Sequence, residues 1–527
     1  MSLLTIAATA LVALLAVWLM LRLAFALPTL PPEPAPPPPQ DNPDSRIGRA
    51  IAGIEAAHPG LSGIVPLAES RGAYAARVAL VRAADVCLDV QYYIWRDDVS
   101  GRLLIEELRQ AAERGVAVRL LIDDNGISGL DDELAALDSH PAIEVRLFNP
   151  FTIRRPKVLG YLLDCFRLNR RMHNKSLTAD NQMTIIGGRN IGDAYFGTCE
   201  LPEFADLDVL AIGAIVLEMA ADFGRYWTCA SAYPARLILP AAQPGALAAL
   251  TARAQTLLRD DPLAQAYAAA VDVPSYADPL THGALDYDWA PVRMVSDDPA
   301  KALGREPRVH RPIGEIGEII SQAKRELGLV SAYFVPAKAG AQMFEAMAAR
   351  GVAVNVLTNA LASTDVAVVH AGYARYRRRL LRAGVRLWEM KGDAARHPAK
   401  RSGVLAGLPR SSRSSLHAKT FTIDGERLFV GSFNFDPRSM HLNTELGFLM
   451  DSPALAHRLQ QVFNDPLRRR AYEVRLDSGG ALQWLEDGED GAEGDDGTRV
   501  HTHDPETSLL RRAQVVFWGL MPIEWLL

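Results

Sequence analysis

The chain has 527 residues, 49% of them hydrophobic and 22% charged, enough for more than one sizeable core. Its net charge of −6 at pH 7 speaks against a nucleic-acid binder that depends on a broadly basic surface, while leaving room for a local basic pocket. The four cysteines, Cys87, Cys165, Cys199 and Cys229, are widely spaced with no CxxC pair, and indicate neither a zinc site nor a disulfide framework.

In chain order, Leu3 to Leu21 is an uncharged, mostly apolar run, which Leu23 to Leu27 extends past Arg22. About 20 helical residues span a bilayer core, so the run is long enough. It reads either as a retained anchor over 1–26 or as a signal cleaved near Ala24-Phe25-Ala26. No Lys or Arg precedes it and it exceeds a usual signal core, which favours the anchor. Arg22, the only flanking charge, places the following chain weakly on the cytoplasmic side. A proline-rich linker over 27–45 follows, a semi-rigid polyproline II spacer, and folded sequence begins near Ile47.

Beyond it the chain repeats itself. Val86 to Ile94 reads as a strand, Arg102 to Arg114 as a helix and Val116 to Ile122 as a buried strand. The same order returns with Leu329 to Val335, Gln342 to Arg350 and Val352 to Leu357. Arg114-Gly115-Val116-Ala117-Val118 reappears letter for letter as Arg350-Gly351-Val352-Ala353-Val354, and Val145-Arg146-Leu147-Phe148 is echoed by Val385-Arg386-Leu387-Trp388. These matches and the motif described next lie at offsets of 236, 240 and 244 residues, in the same order, as a duplication requires. Strands alternating with helices predict an α/β sheet in each half, over 46–235 and 286–475. An Ala- and Leu-rich helical connector over 236–285 joins them. In the remainder, 476–527, Leu485 to Gly497 carries seven acidic residues among glycines and reads as a solvated loop. Ala513 to Leu527 is apolar but too short to cross a membrane as a helix; it either docks on the core or lies at a lipid interface.

The motif that carries chemistry occurs once per half. His173-Asn174-Lys175, then Asp180, then Gly187-Gly188-Arg189-Asn190 matches His417-Ala418-Lys419, then Asp424, then Gly431-Ser432-Phe433-Asn434, at identical spacing. On a strand, residues i and i+2 share a face, so each His would point with its Lys at one site. An imidazole beside an ammonium suits a phosphate group better than a core. Gly188 and Ser432 lie in turns where backbone can approach closely, and the Asn190 and Asn434 amides can donate to phosphate oxygens. One histidine can attack phosphorus while the other protonates the leaving oxygen. No carboxylate cluster has convincing metal-ligand spacing and no P-loop occurs, so neither metal nor nucleotide cofactor is expected.

Paired motifs of this kind resemble those of the phospholipase D superfamily, and the resemblance covers roughly Arg46 to Arg470. It implies two similar α/β halves related by a pseudo-twofold, with the site at the seam and a phosphohistidine intermediate, His173 being the favoured carrier. It places Asp180 and Asp424 in the catalytic motif with a structural part. It also implies a further acidic residue orienting each histidine: Asp208, in Phe204-Ala205-Asp206-Leu207-Asp208, for His173, and Glu445, in Asn443-Thr444-Glu445, for His417. Within the superfamily, Asn169-Arg170-Arg171-Met172-His173-Asn174-Lys175, Gly187-Gly188-Arg189-Asn190-Ile191-Gly192-Asp193 and Pro522-Ile523-Glu524-Trp525 resemble the bacterial cardiolipin synthases. That group transfers a phosphatidyl group to phosphatidylglycerol. The expected partners are thus phosphatidylglycerol, with phosphatidylethanolamine as a second donor, and the bacterial inner membrane, not nucleic acid. A hydrolase releasing phosphatidic acid is the alternative; a nuclease fits less well. Arg154, Arg155, Lys157, Arg167, Arg170 and Arg171, interleaved with apolar residues, are expected to meet anionic headgroups.

Overall fold

The central strands of each half are apolar on both faces because each face meets a different core. The computed structural model describes residues 2–30, 34, 36–197, 206–272, 284–304, 312–364, 366–392, 416–463, 467–487 and 498–527. In strand Ala117–Gly126, Val118, Leu120 and Ile122 enter the core of the first half, while Leu121 faces a cluster shared with the second. Ile185 and Ile186 of Met183–Gly187 divide in the same way. From the second half, Leu428, Val430, Leu446 and Phe448 join the shared cluster, and Phe429 and Leu449 point back into their own core. The shared cluster is the seam between the halves.

The first sheet has nine strands, in the order Ala232–Pro234, Ile143–Phe148, Ala117–Gly126, Cys87–Ile94, Ser176–Ala179, Met183–Gly187, Asp208–Gly213, Ser62–Leu67 and Asp288–Ala290. The second has ten: Val292–Ser296, Leu446–Met450, Arg427–Gly431, Lys419–Ile423, Glu326–Ser331, Ala353–Asn359, Arg386–Met390, Ala471–Leu476, Leu482–Asp487 and Thr498–His501. Each contains three parallel strands, from Cys87 to Phe148 and from Glu326 to Met390, flanked by antiparallel ones. Parallel neighbours need a crossover, and helices Val99–Glu113 and Ala337–Ala349 supply it at matching places. Asp98 caps the first, accepting from Gly101 N–H at 3.1 Å. Both crossover helices end on a left-handed glycine, Gly115 at φ 95° and Gly351 at φ 86°, which is why Arg-Gly-Val-Ala-Val recurs there.

Several expected boundaries move. Asp288–Ala290 pairs with Ser62, Gly63 and Ile64, so a second half starting at 286 would take a strand from the first sheet. Within the expected connector, helices Ala246–Asp260 and Pro262–Asp272 pack with the first half, whose core receives Leu250, Ala254 and Tyr267. The stretch from 476 is no separate tail: Leu482–Asp487 and Thr498–His501 extend the second sheet. The acidic loop therefore begins inside a strand, and its residues 488–497 lie outside the described ones.

Both ends of the chain are fastened to the body. The end of the proline-rich linker is tied to the turn after Ser176–Ala179: Asn42 donates to the Asp180 carbonyl at 2.9 Å, and Asn181 donates to the Gln40 carbonyl at 2.8 Å. It is a strap as well as a spacer. Near the other end, buried Arg377 holds Asp504 at 3.0 Å, Glu389 at 3.3 Å and His370 at 2.6 Å. Its guanidinium contacts every member of the one described trio of ligand-type side chains close enough to share an ion. Helix Leu3–Ala24 precedes all of this; its segment Leu4–Ala24 has a mean hydropathy of 2.5 and is long and apolar enough to cross a membrane.

Candidate active site

At the seam, the first His-x-Lys motif ends just before strand Ser176–Ala179, and the second enters strand Lys419–Ile423 with its lysine. The extended backbone still directs each pair together. Lys175 Nζ donates to the His173 carbonyl at 2.5 Å, and Lys419 Nζ lies 3.2 and 3.3 Å from the ring nitrogens of His417. A backbone bridge closes the seam beside them: His173 N–H donates to Thr444 at 2.9 Å and Thr444 N–H to Arg171 at 2.9 Å.

The orienting carboxylates are crossed between the halves, which corrects the expected pairing. Glu445, expected at His417, accepts from His173 Nδ1 at 2.8 Å. His417 Nδ1 meets Asp206 at 2.6 Å. Asp208, expected at His173, is buried between Arg77 at 2.8 Å and Arg189 at 3.2 Å and touches neither histidine. The reason is the seam itself, where each Gly-rich turn faces the other half's histidine. Strand register identifies the true counterparts: Gly187 pairs with Asp208 and Gly431 with Gly447, so Asp206 and Glu445 occupy equivalent positions two residues earlier. Asp206-Leu207 against Glu445-Leu446 was the signal available in the sequence.

The two turns serve their carboxylates differently. A Cβ at Gly188 would lie 2.1 Å from Asp206 Oδ1, so only glycine admits that carboxylate. Ser432 uses the equivalent space to donate its hydroxyl to Glu445. Behind Glu445, Asp297 accepts the Glu445 N–H at 3.0 Å and is held by buried Lys301 at 2.7 Å, a support the motifs gave no sign of. Asn190 donates to the Tyr195 hydroxyl at 3.1 Å, and the Tyr195 ring meets His417 edge-on at 5.1 Å. Tyr93 does the same to His173 at 4.9 Å. Asn434 is buried with its Oδ1 unsatisfied.

Electrostatics lower both histidines: burial and then Lys419 push His417 below its usual value, against the opposite pull of Asp206. Burial, then the ammonium groups of Lys175 and Lys419, push the His173 pKa well below its usual value. Burial pushes Glu445 up to about 7, against the pull of Lys175 and the Ser432 hydrogen bond. Burial would also raise Asp206, but the facing His417 charge, its hydrogen bond and Lys419 hold that carboxyl well below the usual range. Burial and then Lys419 push the Lys175 ammonium well below its usual value, so an anion placed beside the two lysines would stabilise their charged forms.

Both motif aspartates are engaged by backbone N–H groups of the neighbouring strand. Asp180 accepts N–H groups of Asp85, Val86 and Cys87 at 2.9, 2.7 and 3.0 Å. Asp424 accepts those of Lys324, Arg325 and Glu326 at 3.0, 2.7 and 3.0 Å. Their backbones agree, at φ 54° and 55°. The basic stretch, by contrast, is spent inside the protein. Arg154 and Lys157 pair with Asp124, Arg167 with Asp164, and Arg171 with buried Asp123, while Arg170 donates to the Lys301 and His441 carbonyls. Arg155 is exposed and, of the six, is the one with no such partner among the described residues. Cationic character at the site comes from Lys175 and Lys419 instead.

Similarity to known proteins follows the same two halves. The family model described as cardiolipin synthase, PLD-like domain matches twice, over residues 78–227 and 316–466. The chain is 45% identical over 484 residues to cardiolipin synthase C of Escherichia coli strain K12, covering 92% of this chain and 100% of that one. It is 26% identical to cardiolipin synthase A of Pseudomonas putida, covering 73% and 64%. In fold it is similar to the crystal structure of phosphatidylserine synthase from Haemophilus influenzae Rd KW20, with a TM-score of 0.54 at 14% identity over 92% of this chain and all of that one. The duplicated domain match and the E. coli relative together establish that the chain belongs to the cardiolipin synthase, PLD-like domain family and is a phospholipase D-superfamily phosphatidyltransferase.

Proposed function

We propose that the chain makes cardiolipin, passing a phosphatidyl group through a phosphohistidine on His173 to the free glycerol of phosphatidylglycerol. The crossed His–carboxylate pairs, each flanked by a lysine, carry this reading. With Nδ1–H held by Glu445, His173 keeps Nε2 free to attack phosphorus, and its lowered pKa keeps the ring neutral. His417, paired to ionised Asp206, gives its proton to the departing alcohol oxygen as the P–O bond breaks. The incoming glycerol hydroxyl then attacks phosphorus, returns its proton to His417 and releases His173. Lys175, Lys419, Asn190 and Asn434 neutralise and hold the phosphate oxygens. One phosphodiester replaces another, so no nucleotide is needed.

The N-terminal helix suits a retained anchor in the bacterial inner membrane, where both lipid substrates reside. The deciding experiment offers purified protein vesicles of phosphatidylglycerol, with and without phosphatidylethanolamine, and identifies products by mass. Cardiolipin with free glycerol or ethanolamine is expected. Phosphatidic acid as the sole product in every mixture makes the chain a hydrolase.

A further inference from the structure

The N-terminal helix meets the catalytic body at a defined place. Trp18, near its end, donates Nε1–H to the Leu162 carbonyl at 3.0 Å, and Arg22 sits 5.2 Å over the Trp18 ring. Tryptophan and arginine at the end of a span mark the headgroup level, so Leu162 lies at that depth. Leu162 belongs to helix Gly160–Leu168, which leads directly to the first motif. On it, Leu162 and Phe166 are 72% and 81% exposed, with Val158 just before at 67%.

The C-terminus is fixed beside the same helix. Arg438 bonds Asn169 Oδ1 at 3.0 Å, the Leu526 carbonyl at 3.3 Å and, through its backbone N–H, the Leu527 carbonyl. The preceding helix, Leu509–Leu520, is held to the body by Arg511 on the Thr364 carbonyl at 2.7 Å and by Glu524 on Tyr376 at 2.9 Å. Its outer side leaves Leu510, Phe517 and Leu520 at 71%, 55% and 80% exposure. Large apolar side chains exposed together on each of two helices are costly in water and mark a contact.

We infer that helices Gly160–Leu168 and Leu509–Leu520 form, with the N-terminal span, one rim immersed in the leaflet that the span enters, so that the active site opens onto lipid. The occupant is the bilayer because the first patch is tied by Trp18–Leu162 to a helix whose own length commits it to lipid, and the second precedes the C-terminal Leu526 and Leu527, which Arg438 joins to Asn169 at the end of the first. The inference rests on reading that helix as a retained span and on the lipid chemistry proposed above.

Cys165, exposed between Leu162 and Phe166, is a built-in probe. Burial pushes the Cys87 and Cys229 thiols up to about 12, which keeps them unlabelled, and Cys199→Ser removes the fourth. A nitroxide is placed on Cys165 of the full chain, or on Phe517→Cys in a Cys165→Ser background, and the protein is reconstituted in phosphatidylglycerol–phosphatidylcholine vesicles. Collision with dissolved oxygen should exceed collision with a water-soluble nickel chelate several-fold at both positions. The order should reverse at Arg259→Cys on exposed surface. Nickel dominance at 165 and 517 overturns the inference. So does shielding from both reagents with spin–spin broadening that unlabelled chain dilutes away, which means a second copy covers the face. Cardiolipin is assayed on the same vesicles: lipid-immersed labels without product count against the proposed chemistry and leave the rim standing.

Discussion

The two histidines descend from one motif, yet their surroundings have diverged. His173 is nearly enclosed, with 8% of its side chain exposed, and faces Glu445, which Ser432 supports. His417 is 24% exposed and faces Asp206, which approaches over bare Gly188. A longer carboxylate with a hydroxyl partner stands against a shorter one with a glycine. Duplication supplied two equivalent positions, and in the proposed mechanism the side chains around them make one ring the nucleophile and the other the proton carrier.

Removing each ring breaks the comparison most severely. His173→Ala should lower kcat by about a million-fold, because no covalent path remains. His417→Ala should cost about 10²–10⁴-fold and recover with a donor whose leaving group needs no proton, such as a nitrophenyl ester. Single-turnover kinetics with both donors checks this; equal rescue of the two variants would erase the division of roles.

Neutralising the carboxylates comes next. Glu445→Gln and Asp206→Asn should each cost about 10²-fold in kcat, the expected scale for a residue that orients a catalytic group. Their pH signatures should differ. Glu445 has its folded pKa raised from 4.5 to about 7, so its stabilising contribution is complete below about 4.5 and is lost as pH rises through 7. Wild-type melting temperature should therefore fall relative to Glu445→Gln across that window. Asp206 is lowered from 3.8, so its contribution is present above that value and lost only in more acid solution. Parallel melting curves for wild type and Glu445→Gln from pH 4.5 to 8 would contradict the assignment.

The turn residues sharpen the contrast further. Gly188→Ser places an atom where Asp206 must sit, and should cost activity about as Asp206→Asn does. Ser432→Gly removes one hydrogen bond to a charged group, a loss of about 1.5–3 kcal/mol and a smaller fall in kcat. Steady-state kinetics of the two variants should show that order.

How far the sequence reaches follows from the same residues. Identical spacing displayed both His-x-Lys motifs, both motif aspartates and the two α/β halves. It did not display the crossing, because the partners are 272 and 211 positions apart and local order carries no trace of which turn faces which ring. Asp206 was within reach: Asp206-Leu207 matches Glu445-Leu446, but nearby Asp208 competed, and only strand register shows Asp208 serving Arg77 and Arg189. The basic stretch misled for a related reason, since its acidic partners Asp123, Asp124 and Asp131 lie on a separate segment.

The smallest effect should come from the aspartates that hold the halves alike. Asp180→Asn should lower stability by about 1–3 kcal/mol with kcat nearly unchanged, and Asp424→Asn, at a more exposed turn, by less. Urea unfolding beside steady-state rates measures both.

The most direct test of the divided roles is to trap the enzyme during turnover of phospholipid labelled in its phosphatidyl group, digest it, and locate the acid-labile, base-stable adduct. A single labelled peptide containing His173, absent in His173→Ala and present in His417→Ala with the nitrophenyl donor, is the predicted result. Label on His417, or shared between both histidines, would contradict it.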